Sequence, residues 1–299
     1  MSLPRPAHAG TTYMITRRCS ERRFFLQPTP LVSQVYGYLL AVAGARTGVL
    51  LHAVCVQGNH THVIATDPDK RIPAFYEYLH GLVARHLNAS RGRWEAMWAS
   101  EETNRVRLED VGAVIDETVY TLCNPVSSHL VESASDWPGL RMWWADEPVV
   151  IERPEGFFSD DTSLPDEVTL RFVPPLALAG LDGDDGVGRL RRALDEREDQ
   201  IRRKAFVLKR SFLGLRALAD QHWSESPESF ARRRGLRPRV ATKNKWRRIE
   251  AIQRDRAFVA AYAACRERWL AGDRDIEWPP GTYKMRVVHR AACAQAPPG

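Results

Sequence analysis

The sequence predicts an α+β protein: a ferredoxin-like antiparallel sheet with its helices on one face, followed by a mainly helical C-terminal domain. Three observations carry this. Residues 11–123 alternate between strand-like and helix-like apolar periods in the order strand, helix, strand, strand, helix, strand, helix, which is the split βαβ pattern. A stretch rich in proline, glycine and acid then interrupts the chain at 146–188. Beyond it, two long runs are amphipathic at helical spacing.

Each element has its own signal. TTYMITRR is a β-branched and aromatic run ending in paired arginines, and the prolines of QPTP stop a strand and admit a helix. Apolar residues at Leu31, Val32, Val35, Tyr36, Leu39, Leu40 and Ala43 follow the 3.6-residue period, and Gly44 and Gly48 mark the end of that helix. VLLHAVCV reads as a buried strand, Gln57-Gly58-Asn59 as a turn, and HTHVIATD as a strand paired back on it. Asp67-Pro68-Asp69 breaks the pairing. A helix over 72–88 carries Phe75, Tyr78, Leu79, Leu82 and Val83 on one side. GRWEAMWAS and NRVRLED look extended, and Val111 to Cys123 forms a helix that stops at Asn124-Pro125.

The chain has 299 residues, 44% hydrophobic and 27% charged, enough to bury a sizeable core. The expected division is a domain over 1–145, an acidic Pro/Gly-rich linker over 146–188 and a basic helical accessory domain over 189–299. DGDDGVG lacks the glutamate that closes a calcium loop and reads as a turn. Five cysteines, far apart and without a CxxC pair, argue against a disulfide framework and a zinc knuckle and fit a reducing cytoplasm. With no apolar leader and no uninterrupted apolar span, a cytoplasmic protein with no membrane partner is expected. A net charge of +6 matters only where it is clustered.

QGNHTH raises the question of chemistry. Residues i and i+2 of a strand share a face, so His60 and His62 present two imidazoles side by side while Thr61 points away. An isolated HxH pair is more often structural than a metal site, and a third ligand has to come from elsewhere. Tyr120 and Asn124, at i and i+4, project from one helix face with Cβ atoms about 5–6 Å apart. Alone, Tyr120 reads as a half-buried helix tyrosine and Asn124 as a helix stop before proline. Two imidazoles and an amide oxygen would together leave open positions on Mg2+ or Mn2+ for phosphate oxygens.

The order TYMITRRCSERRFF, HAVCVQGNHTHVIAT, YLHGLVARHLNASRGRWEAMW, ETVYTLCNPVSSHLVESASDWPG resembles the single-tyrosine transposases of the HUH endonuclease superfamily, within them the REP-associated tyrosine transposase group. The likeness covers residues 10–144. It implies an HUH endonuclease core with His60, His62 and Asn124 holding a divalent ion and Tyr120 as nucleophile. Thr61 stands where the family has an apolar residue. The implied activity is metal-dependent cleavage and strand transfer on single-stranded, hairpin or repeat DNA through a 5′-phosphotyrosine, with no organic cofactor.

Clustered cations supply candidate DNA contacts. Arg17, Arg18, Arg22 and Arg23 follow the first strand, and ARRRGLRPRVATKNKWRR offers Arg233, Arg237, Lys245 and Arg247 without an acid, with Trp246 as a stacking surface. Two other readings fit the same residues: a DNA-binding regulator that no longer cuts, and a His-x-His metallohydrolase of small molecules in which Tyr120 is structural. The oligomeric state stays open between a monomer and a homodimer.

Overall fold

The computed structural model describes residues 3–156, 164–178, 185–229 and 238–295. Its elements run β1 (Thr11–Arg18), α1 (Pro30–Thr47), β2 (Leu50–Gln57), β3 (His60–Asp67), α2 (Ile72–Ala89), β4 (Asn104–Leu108), α3 (Val111–Leu122), α4 (Asn124–Ser127), β5 (Arg141–Trp143), β6 (Val149–Glu152), β7 (Glu167–Leu170), α5 (Asp185–Val207), α6 (Leu215–Asp220), β8 (Val240–Ala241), α7 (Lys245–Leu270) and α8 (Lys284–Val288). The main sheet has the order β5-β2-β3-β1-β4-β8, antiparallel except for β8, which pairs in parallel with β4. Its inner four strands, β2-β3-β1-β4, come from the predicted split βαβ. GRWEAMWAS, expected to be extended, forms no strand of the sheet and pairs through an isolated bridge between Cys19 and Trp98.

Local chemistry places the boundaries. The Thr29 side chain accepts from Val32 N at 3.3 Å, Pro30 opens α1, and Gly48 closes it at φ 72°, the left-handed conformation that favours glycine. At the end of β3 the buried Asp67 carboxylate accepts from the N–H groups of Arg71 and Ile72, both at 2.8 Å, and turns the chain into α2. Asp110 caps α3 through Ala113 N at 2.8 Å.

The two crossover helices α1 and α2 pack along each other on one face, where Tyr36 of α1 donates its hydroxyl to Thr61 at 3.0 Å. The third helix, α3, lies across the opposite face, the one that carries His62. The reason is visible in the strands. Apart from Leu50 and His60, every residue of β2 and β3 is buried, so both faces need cover.

The stretch 146–188, expected to be a loose linker, is packed over its described residues. β6 and β7 form a two-stranded sheet on α1, and Leu164, Leu170, Phe172 and Leu178 join the main core. Ile151 reaches α1 so closely that a Cβ on Gly37 would stand 2.7 Å from its Cδ1, so any larger residue there would have to push that side chain aside. Residues 189–299 are also tied to the first 145. Leu190, Leu194 and Ile201 of α5 pack into the same core, β8 extends the sheet, and Arg107 of β4 pairs with Asp255 of α7 at 2.6 Å. Among the described residues a small second cluster forms around Ile276, Trp278 and Met285. The physical cause is apolar area: α3 and α1 leave faces that α5 and β6–β7 cover. Among the described residues, no helix is long and apolar enough to cross a membrane. Of DGDDGVG, residues 182–184 lie outside the described residues and the remainder begins α5.

Candidate active site

The β2–β3 hairpin builds the site. Its turn is two residues long, so Gln57 pairs directly with His60, and Cys55 with His62. Paired residues share a sheet face. His60 and His62 therefore stand together with Gln57, their ring centroids 4.9 Å apart and nearly perpendicular at 88°. From above, α3 brings the Tyr120 ring edge-on to His62, centroids 5.3 Å apart. The break at Cys123 starts α4, whose first residue, Asn124, places its Nδ2 3.1 Å from His62 Nε2.

The hydrogen bonds assign the ring protons. Asn59 Oδ1, an acceptor only, lies 2.7 Å from His60 Nδ1, so that nitrogen donates and His60 Nε2 keeps its lone pair. The Asn124 amide nitrogen can only donate, so His62 Nε2 accepts and its Nδ1–H faces the Thr16 hydroxyl at 3.0 Å. Burial lowers the His60 pKa to about 4, with the Arg18 guanidinium adding to the shift and Asn124 opposing it. Burial and then His60 itself push His62 well below the ordinary imidazole range. Both rings are neutral at pH 7, the form a metal ion requires.

Asn124 is held from behind. Its Oδ1 accepts from Gln57 Nε2 at 2.5 Å and from Ser128 Oγ at 3.3 Å. A half-turn of the amide exchanges Nδ2 and Oδ1 and brings the oxygen beside the two imidazoles. Two neutral imidazoles and an amide oxygen fit a divalent cation of intermediate hardness such as Mn2+, with Mg2+ the harder alternative. Among the described residues no three His, Cys, Asp or Glu side chains gather into a metal cluster, and beside the two imidazoles the polar side chain at hand is the Asn124 amide.

The predicted cations divide. Arg18 is exposed and pairs with His60 in the sheet, on the histidine face. Arg17 points to the other face, over the Trp98 ring at 5.9 Å and onto the Glu101 carbonyl, because strand alternation sends it there. Arg22 is bonded to Ser229, and Arg23 is paired with Glu21 at 2.6 Å and reaches Ser224. Lys245 and Trp246 are exposed at the start of α7, while Arg247 donates to the Glu109 carbonyl at 3.1 Å. Lys243 pairs with Asp116 at 2.5 Å, one helical turn before Tyr120, so this member of the basic run lies beside the tyrosine's helix face. Arg233 and Arg237 lie outside the described residues. A cavity of about 920 Å3 lies on the other side of the sheet, lined by Tyr76, His80, Trp98 and Tyr262, and the histidine pair takes no part in it.

Sequence reasoning missed Gln57, Ser128, Asn59 and Thr16. Gln57 was within reach, since a two-residue turn sets residue 57 opposite 60. Thr16 depends on the β1–β3 register, and Ser128 on the break at Cys123.

No family model matches the chain, and no curated protein matches it. Among solved structures, the chain is similar to a REP-associated tyrosine transposase bound to a REP hairpin, at 18% identity over 46% of this chain and 81% of that one, with a TM-score of 0.40. It is also similar to a "putative transposase" from Deinococcus radiodurans, at 19% identity over 39% of this chain and 94% of that one, with a TM-score of 0.29.

Proposed function

We propose that the chain is a metal-dependent endonuclease and strand transferase of single-stranded DNA, a transposase-type enzyme with Tyr120 as its nucleophile. The observation that carries the reading is convergence. His62 meets the Tyr120 ring on one side and the Asn124 amide on the other, so elements more than fifty residues apart in sequence deliver a nucleophile and three ligand-type side chains to one spot.

His60, His62 and, after its amide turns, Asn124 would hold a divalent ion, Mg2+ or Mn2+, which when bound supplies Lewis-acid polarisation of the scissile phosphate. In that state Gln57, its own amide turned so that Oε1 accepts from Asn124 Nδ2, and Ser128 Oγ, accepting in its turn, would back Asn124, while Asn59 and Thr16 fix the imidazole tautomers. Tyr120 is 42% exposed, open enough for a DNA strand to reach its hydroxyl. Its oxygen forms a bond to the phosphorus while the bond to the 3′ oxygen breaks. That oxygen takes up a proton and leaves as a 3′-hydroxyl, and the tyrosine proton passes to solvent. The 5′-phosphotyrosine keeps the bond energy, so attack by another 3′-hydroxyl rejoins a strand and frees Tyr120. Hairpin or repeat DNA is the proposed substrate on the strength of the motif resemblance, with Arg18 on the same face as a phosphate contact.

The test is an end-labelled hairpin oligonucleotide with a single-stranded flank, incubated with Mn2+ and run on a denaturing protein gel. The wild type should give a covalent adduct that EDTA abolishes. Tyr120→Phe should give none while binding the oligonucleotide within about threefold of wild type, because only the nucleophile is lost. An adduct in Tyr120→Phe overturns the assignment. Tight binding with no cleavage by the wild type would instead identify a DNA-binding regulator, and metal-dependent turnover of a small ester without a DNA adduct a metallohydrolase.

A further inference from the structure

We infer that residues 203–212, where α5 ends and turns back, form a single-stranded DNA contact flanking the Tyr120 site. The inference takes the identity of its ligand from the nuclease reading, and it adds a surface that the transposase-like motifs do not include. The segment is anchored to the site's own helices. Cys123 Sγ lies 3.8 Å from Leu194 O, and Arg202 donates to Glu132 O at 3.1 Å. Beyond the turn, Leu213 and Gly214 donate their N–H groups to His129 and Leu130, both at 2.9 Å. His129 directly follows Ser128, which holds Asn124, and the Phe212 ring sits 5.4 Å from it. Burial lowers the His129 pKa, and the charges of Arg210 and Lys204 add to the shift.

The exposed side of this turn has an unusual composition. Phe206 is 85% exposed and Val207 76%. Between Ile201 and Ala219 there are six cations and no acid. Among the described residues Lys204, Lys209 and Arg210 have no carboxylate partner. An apolar surface of this kind calls for a covering partner, and interleaved cations call for a polyanion. A second copy of the chain would set Lys204, Lys209 and Arg210 against the same three cations, which disfavours a symmetric self-contact. Single-stranded DNA meets both demands, with a base face for Phe206 and phosphates for the cations. In duplex DNA the base faces are already stacked.

The experiment measures binding of a fluorescent single strand and of a blunt duplex in EDTA, which separates affinity from cleavage. Phe206→Ala should weaken single-strand binding about tenfold and leave duplex binding unchanged. A triple Lys204→Gln, Lys209→Gln, Arg210→Gln variant should lower the slope of log affinity against log salt by about 2, at 0.7 per phosphate contact. Unchanged circular dichroism and melting in both variants would tie the losses to the surface. Single-strand binding equal to wild type in both overturns the inference, as does a change in sedimentation with DNA binding intact, which would mark a contact between copies. If binding depends on Phe206 as expected but the wild type never forms the Tyr120 adduct, the nuclease reading fails and this contact stands.

Discussion

Thr61, between the two histidines, is where the sequence departs from the resemblance, and the structure turns that departure into a measurable quantity. Its side chain faces α1, is 1% exposed, and accepts a hydrogen bond from the fully buried Tyr36 hydroxyl at 3.0 Å. Thr61→Val keeps the shape but removes the acceptor, which leaves a buried phenol unpaired at a cost of about 1–3 kcal/mol. The added methyl recovers up to about 0.8 kcal/mol of apolar burial, so the net loss should be about 1–2 kcal/mol. Tyr36→Phe should cost about 1 kcal/mol for the same hydrogen bond lost from the other side. With both changed, no polar group is stranded, and the double variant should be more stable than the sum of the singles by about 1 kcal/mol. Urea unfolding followed by tryptophan fluorescence reads all four proteins, and adduct formation should stay at wild-type level in Thr61→Val because the side chain faces away from the histidines. Additive losses would show that the hydroxyls do not depend on each other. A cleavage defect in Thr61→Val at full stability would show that the middle residue of the motif acts on the site.

Two further perturbations probe the same architecture. Gln57→Ala removes the amide that, turned together with Asn124, would hold Asn124 Oδ1 toward the ion, and should lower Mn2+ affinity about tenfold with the fold intact, read by electron paramagnetic resonance titration; unchanged affinity would exclude Gln57 as a positioning residue. Burial holds His52 at about 4 and His80 at about 3, below the ordinary 6.5, so the unfolded chain takes up protons there that the folded chain does not. Stability should therefore fall as pH drops below about 7, by up to about 1.4 kcal/mol per pH unit for each group, until the folded pKa is reached. His52→Gln should flatten that dependence by one proton, and an identical pH profile would mean that His52 is protonated in the fold.

Local chemistry was enough for much of this protein. The strand and helix order of the first 123 residues, the helix end at Gly48, and the shared face of His60 and His62 follow from periodicity, proline and glycine placement and strand alternation, which act over a few residues. Tyr120 and Asn124 were readable as candidates from their spacing and the resemblance. Their meeting with His62, implied by the resemblance, does not follow from their spacing, because it depends on α3 crossing to the histidine face, a choice made by the apolar area left bare on both sides of β2 and β3. The same long-range demand for cover drew 146–188 and α5 onto the core where composition alone read as linker and separate domain. Strand alternation, a local effect, sends Arg17 away from its neighbour Arg18, since two adjacent strand residues cannot serve one face. What the sequence determined by itself is the set of elements and the chemistry each carries. Which of those chemistries meet was decided only when non-local burial chose the faces on which the elements pack.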